Sequence, residues 1–212
     1  IDLSKNPIEF ATYEPRVLGR IISNEKAETS VPGLFTGGDE AGQSISNASV
    51  FGLIGGAGAA DYARKAPAPE TVQIQAQVEK KEREADAFRK RKDGPDWQDA
   101  NMALMHTMAD YAGLVRSESL LTAGLKHLHR LKDKLRNTVT AKDRWELTRC
   151  LEVVNLYDIG ELIFIGALER KESRGLHQRA DYPYTDPLLN GQMLVYKLVE
   201  GKHTVQWRPL PT

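Results

Sequence analysis

One cysteine among 212 residues, Cys150, leaves no internal disulfide framework and no cysteine-only metal site. A reducing, cytoplasmic compartment is therefore expected. Net charge is lacking too, because 29 Lys and Arg balance 29 Asp and Glu. No overall field draws such a chain to nucleic acid or to an acidic lipid surface. Long apolar runs are scarce. The most apolar one, 150–168, contains Glu152, Asp158 and Glu161, so no direct membrane span is expected. Neither a Ser–His–Asp arrangement, an HExxH zinc signature nor a GxxxxGK phosphate loop can be read from the chain. There is no signal-peptide pattern, and the first residue is Ile1 rather than Met. The expectation is a processed chain or a piece of a longer one.

What is present begins with glycine. The stretch from Thr29 to Ala60 reads TSVPGLFTGGDEAGQSISNASVFGLIGGAGAA. Pro32-Gly33 signals a turn, Leu34-Phe35-Thr36 a brief strand ending at Gly37-Gly38, and the small residues from Ser44 to Ala63 a closely packed helix. In one cofactor reading, Val50–Ile54 is a strand and the GGAGAA run a dinucleotide turn. The glycine spacing fails there, since the third glycine position becomes Asp61, and no strand–helix alternation follows. In the other reading the strand is 33–38 and the helix starts near Ser44. Asp39 then sits at the strand's C-terminal end, where its carboxylate can accept from cofactor hydroxyls. The backbone N–H groups at Ser44 and Ile45 would face the negative edge of a cofactor. A plain strand–turn–helix, whose glycines serve only packing, stays open beside this reading.

Beyond Pro67 and Pro69 the composition changes. The run from Glu70 to Lys92 is charged and poor in core residues, a solvated helix that Gly94-Pro95 ends. From Asp96 the apolar period becomes helical. Asp96 can cap a helix with Trp97, Leu104, Met105, Met108 and Ala112 on its apolar side. Ser117 can cap a second, whose Leu121, Leu125, Leu128, Leu131 and Leu135 form one stripe. Thr140 with Asp143 reads as a capping box for a third, from Ala141 to about Arg170. Its middle is apolar nearly all round, which suits the central member of a bundle. Met193–Val199 and His203–Trp207 flank Glu200-Gly201-Lys202 as a terminal hairpin.

Two blocks make the chain recognisable. SVPGLFTGGDEAG with the following SVFG resembles the end of the FAD domain in the flavoprotein subunits of succinate dehydrogenase and fumarate reductase. L-aspartate oxidase and adenylylsulfate reductase alpha are relatives of that family. ALERKESRGLHQRADYPYTD, residues 167–186, is similar to the ESRGxHxRxDYP run of the family's helical C-terminal domain. The resemblance implies a mainly α fold. A three-helix-bundle-like C-terminal domain with a short terminal hairpin (96–212) would follow a charged helical linker (67–95) and the last fragment of an α/β FAD-binding domain (1–66). It also implies an FAD-dependent oxidoreductase passing hydride or electrons through flavin, of which this chain is an incomplete part. Its partners would be the N-terminal remainder of the flavoprotein and an iron–sulfur or other electron-transfer subunit.

Carried over by position, Asp39 falls where the family usually has a Glu that contacts FAD. Ser44 and Ile45 fall where a Ser-Leu pair meets the flavin ring. The candidate cofactor residues are Gly38, Asp39, Ser44 and Ile45, with no catalytic residue and no metal ligand assigned. Dicarboxylate-handling members carry an HGxNR-type segment between the acid and the serine. Here Asp39 to Ser44 contains neither Arg nor His, so a standard dicarboxylate is not the expected substrate. The contrasting expectation is a non-catalytic helical module that docks a redox partner or another subunit.

The remaining chemistry-bearing residues are few. Arg170, Lys171, Arg174, His177 and Arg179 form a basic cluster interrupted by Glu172 and Asp181. It could grip an anion, although mixed charge favours mutual pairing that fixes the helix end. His127 and His129, two apart on a helix, point to different faces and make a poor metal pair. Cys150 lies in an apolar helix and reads as core rather than nucleophile.

Overall fold

The computed structural model describes residues 19–38, 44–67, 71–200 and 202–210. The sequence reading at Asp39 lies outside these residues. The chain divides into two compact units, Ile1–Ile74 and Gln75–Thr212.

In the first unit, helix α1 spans Ile45–Lys65. The expected strand at 34–36 is shorter than a strand, because Phe35 forms a lone antiparallel bridge with Glu28. Thr29 N–H donates to Leu34 O at 2.8 Å and Thr36 N–H to Ala27 O at 2.9 Å. Two such bonds to one neighbouring segment hold the chain extended without making a ladder. Val50–Ile54 lies inside α1, which removes the dinucleotide-turn reading of GGAGAA: its glycines belong to a helix.

Helix α2 spans Thr71–Lys90. Its middle carries surface ion pairs, Lys81–Glu84 at 2.9 Å and Lys90–Asp86 at 3.0 Å, which contribute little stability in water. Its last turn does more, for Phe88 is buried in the core of the second unit. Beyond it, the Arg91 guanidinium donates to Val139 O at 2.5 Å and also to Arg136 O.

Three helices form that core: α3 (Trp97–Ala112), α4 (Glu118–Thr138) and α5 (Arg144–Glu169), each packed against the other two. Asp96 and Ser117 cap α3 and α4 as the sequence suggests, accepting from Asp99 N–H and Leu120 N–H. Leu121, Leu128 and Leu135 of α4 are buried at heptad spacing, and they meet Cys150, Val153, Tyr157 and Phe164 of α5 and Leu104 of α3. Met105, expected on the apolar side of α3, is exposed, because Leu104 and Met108 already fill that face.

Two expectations for α5 change. Its N-cap is Asp143, not Thr140: Asp143 Oδ1 accepts from Glu146 N–H at 2.8 Å, and Glu146 reaches back to Lys142 N–H at 2.7 Å. Thr140 and Ala141 are held elsewhere, donating their N–H groups to Pro95 O and Phe88 O at 3.0 Å each. That tie to the preceding segment prevents the helix from starting earlier. Nor is α5 covered all round, since Leu151, Leu156 and Ile159 are exposed. Three helices packed in mutual contact leave each with an outer face.

A two-stranded parallel pair, β1 (Val115–Arg116) with β2 (Gln178–Arg179), ties the α3–α4 connection to the loop after α5. A 3₁₀ turn, Pro187–Leu189, leads into an antiparallel hairpin of β3 (Gln192–Val199) and β4 (Lys202–Pro209), with Val199 opposite Lys202. Glu200 has φ of 50°, as a two-residue hairpin turn requires. The fold is mainly α. Among the described residues no helix is long and apolar enough to cross a membrane.

Candidate functional site

The site read from the sequence is the start of α1. Upstream, Asn24 Oδ1 accepts from Lys26 N–H at 2.9 Å and Glu28 N–H at 3.0 Å, closing a side-chain turn. The chain then runs along α1, where its close approach depends on glycine. A Cβ on Gly55 would lie 2.7 Å from Thr36 O. Gly58 is as confined, its Cβ falling 2.8 Å from the Phe35 ring, so Gly55 and Gly58 serve the packing of the upstream segment onto the helix, whereas a Cβ on Gly56 would meet open space. Gly38, at the end of that segment, has φ of 82°, a left-handed conformation that glycine adopts without strain.

Ser44 caps the helix with extended φ and ψ of −153° and 156°. Its Oγ accepts from Asn47 N–H at 3.1 Å and its carbonyl from Ala48 N–H at 2.8 Å. The N–H groups of Ile45 and Ser46 are engaged by neither of these bonds. No acidic residue lies in the first turn, so the positive end of the helix is not neutralised from within it. Ile45 is 87% exposed, an apolar side chain standing free beside polar N–H groups. Such an arrangement suits a flat ligand with an apolar face and an electron-rich edge. Of the four candidate residues, Gly38 ends the extended segment, Ser44 caps α1 and Ile45 is its first residue, and Asp39 lies outside the described residues. One residue escaped the sequence reading. Thr36 is 5% exposed, and its hydroxyl has no hydrogen-bond partner among the described residues.

The basic cluster of residues 170–179 is a closed ion-pair knot. Glu172 is fully buried and accepts from Arg170 at 2.5 Å, from Arg174 Nε and Nη2 at 2.9 Å each, and from Asp186 N–H at 2.9 Å. Burial alone would raise its pKa, but the bonds from Arg174, Asp186 N–H and Arg170 outweigh this and bring it down to about 2. Arg179, 1% exposed, forms a two-pronged pair with Asp181 at 2.8 and 2.7 Å and donates to Ala167 O at 2.7 Å. Asp181, held well below the usual carboxylate range by Arg179, also accepts from Glu118 N–H at 2.8 Å, at the start of α4. These pairs commit both carboxylates to three arginines and fix the end of α5 to the start of α4, while Lys171 stays exposed outside them. The knot also recruits Arg116, which sequence reading missed because it lies 61 residues from its partner His177.

The other singled-out residues are structural. His129 Nε2 lies 3.1 Å from Glu161, while His127 Nδ1 lies 2.7 Å from Arg130. Lys132 bridges Asp158 and Glu161 at 2.5 and 2.6 Å. Cys150 is fully buried; desolvation, with Glu146 and Asp96 nearby, pushes its thiol up to about 11. Among the described residues no three His, Cys, Asp or Glu side chains group as a metal site.

Comparison with known proteins agrees with this architecture. The family model "Fumarate reductase flavoprotein C-term" matches residues 101–212. A fumarate reductase flavoprotein subunit of Mycobacterium tuberculosis is 29% identical across 96% of this chain and 39% of its own length. An uncharacterised FAD-dependent oxidoreductase of Methanocaldococcus jannaschii is 26% identical across 92% of this chain and 37% of its own. The solved structure of Mycobacterium smegmatis Sdh1 in complex with UQ1 superposes with a TM-score of 0.76 at 27% identity, covering 92% of this chain and 35% of that one. The chain thus spans under two fifths of the length of the relatives it matches. It belongs to the fumarate reductase flavoprotein C-terminal family, the helical end of the flavoprotein subunits of succinate dehydrogenase and fumarate reductase.

Proposed function

We propose that this chain is part of a longer FAD-dependent oxidoreductase, in which residues 38–45 form one wall of the flavin site. The observation that carries this reading is the start of α1: a serine cap, N–H groups at Ile45 and Ser46 that no bond among the described residues engages, no acid in the first turn, and an exposed Ile45. The Thr36 hydroxyl, buried and without a partner among the described residues, adds a polar group nearby. These residues fit a flavin. Bound FAD would supply two-electron redox chemistry, with the protein setting its orientation and local field.

The chain's own residues divide the work. Ile45 would pack against the apolar ring, and the N–H groups of Ile45 and Ser46 would favour negative charge at its pyrimidine edge. Gly38 would let the backbone stay close, and Asp39 would accept from cofactor hydroxyls. On this reading residues 1–66 end the FAD domain, 67–95 link, and 96–212 form the helical domain. The upstream part of the flavoprotein supplies the rest of the cofactor site, and an iron–sulfur or other electron-transfer subunit exchanges electrons with it. Because the Asp39–Ser44 connection holds no Arg or His, the substrate is not a standard dicarboxylate.

A second reading, a non-catalytic docking module, draws on the exposed Leu151, Leu156 and Ile159 of α5. A flavin spectrum of the protein purified with its upstream part separates the two. Bound flavin is expected, with affinity falling about tenfold in Ser44→Ala and in Asp39→Ala. Absence of flavin, or unchanged affinity in both variants, would sink the oxidoreductase reading for this region.

A further inference from the structure

His177 stands where two separate parts of the second unit are fastened together. Its Nε2 lies 3.0 Å from Arg170 O, and a carbonyl can only accept, so Nε2 carries the proton. Its Nδ1 lies 3.1 Å from Arg116 Nη1, and a guanidinium can only donate, so Nδ1 is bare. Both ring nitrogens are thereby assigned, and the ring is neutral. Arg116 is itself held by Nε donation to Ala112 O and Gly113 O at 3.1 and 2.9 Å. The imidazole thus continues a line from the end of α3 to the end of α5. Beside it, Ala180 N–H donates to Arg116 O at 2.8 Å, and His177 and Arg174 exchange N–H···O bonds of 2.9 and 3.0 Å.

Among the described residues, the charges that shift the ring's titration have one sign. Arg116 faces it from the α3–α4 connection, and Arg170 and Arg179 face it from the loop after α5. The carboxylates of that loop are committed elsewhere, Glu172 to Arg170 and Arg174, Asp181 to Arg179 and Glu118 N–H. A proton added at Nδ1 would remove the acceptor that Arg116 uses and set an imidazolium against a guanidinium that cannot lose its proton.

We propose that His177 is an acid-sensitive latch: neutral, it reinforces the β1–β2 junction, and protonated, it gives up its bond with Arg116 Nη1 and loosens that junction. Burial, with Arg116, Arg179 and Arg170 nearby, holds its pKa below the ordinary value, in keeping with that geometry. The second tie, Asp181 to Glu118 N–H, stays ionised and closed through the same pH range. The release is therefore local, confined to the β1–β2 side.

The test is nuclear magnetic resonance on the full chain. Long-range nitrogen–proton spectra should show His177 protonated at Nε2 near neutral pH, with a midpoint below about 6.5. The exchange protection of the Ala180 amide, corrected for intrinsic rate, should fall roughly tenfold for each unit by which the closed latch depresses that midpoint. Protection of the Glu118 amide should hold. In His177→Gln, whose amide can donate to Arg170 O and accept from Arg116 without titrating, Ala180 protection should become independent of pH. A proton on Nδ1, a midpoint at or above about 6.5, parallel loss at Glu118, or the same pH dependence in His177→Gln would each overturn the latch. Should that variant not fold, the tautomer, the midpoint and the Ala180–Glu118 contrast in the unaltered protein decide the matter.

Discussion

Arg174 meets the fully buried carboxylate of Glu172 edge to edge, Nε on Oε1 and Nη2 on Oε2, both at 2.9 Å. Arg170 and Asp186 N–H complete the shell, so the charge is buried with several donors aimed at it. Such a pair contributes less as a bond than it would cost if half of it were removed.

Glu172→Gln is therefore expected to destabilise the second unit by about 3 kcal/mol, because Arg170 and Arg174 would keep their charges beside a neutral amide. Urea unfolding measures this. The acid limb follows from the same pair. The folded pKa of Glu172 is depressed from 4.5 to about 2, so its contribution is present above 4.5 and is lost as pH falls from there through about 2. Stability plotted across that window should be steeper in the unaltered protein than in Glu172→Gln, and equal slopes would count against the assignment.

At Gly124 of α4, side chains of α3 and α5 both crowd the helix backbone. A Cβ there would lie 2.4 Å from Tyr111 Cβ and 2.5 Å from the ring of Phe164, which is fully buried. Gly124→Ala gains about 1 kcal/mol of helix propensity. Overpacking against a ring with no room to move costs about 1–3 kcal/mol, and the strain should win. A lower urea midpoint with an unchanged slope is the expected result, and a more stable variant would show that Phe164 can repack.

The helices were legible because their signals are local. Caps at Asp96 and Ser117 and the leucine stripe of α4 need only neighbours three to seven residues away. The start of α5 lies three residues beyond the expected one because Thr140 answers to Pro95 and Ala141 to Phe88, contacts that no short window contains. Asp143→Ala should accordingly cost about 1 kcal/mol, whereas Thr140→Ala should cost less, its hydroxyl making only a 3.5 Å contact with Pro95 O. Equal losses in paired urea melts would return the cap to Thr140. The candidate site divides in the same way. The start of α1 at Ser44 was readable from serine and the run of small residues after it. The Arg116–His177 junction was not, because chain separation hides it.

Cys150 tests the reading of α5 as core. Its thiol is fully buried, donates to Thr140 O at 3.6 Å and is pushed up to about 11 by desolvation with Glu146 and Asp96 nearby. Thiolate is the reactive form, so labelling by a disulfide reagent near neutral pH should be negligible in the folded protein and complete in denaturant. Fast labelling under native conditions would show that α5 opens locally.

Ser44→Asp separates the cap from the charge. Aspartate caps a helix about as well as serine, so α1 should persist by circular dichroism. Its carboxylate, however, would sit beside the N–H groups of Ile45 and Ser46 and satisfy the helix end from within. Under the flavin assignment, that places negative charge where the pyrimidine edge needs positive potential. Flavin affinity should fall about tenfold, the order expected for a charge at a partly buried helix end, and the flavin midpoint potential should move to more negative values. Ser44→Asn, a comparable cap without charge, should keep both close to the unaltered protein. Equal behaviour of the two variants would place the flavin away from the start of α1.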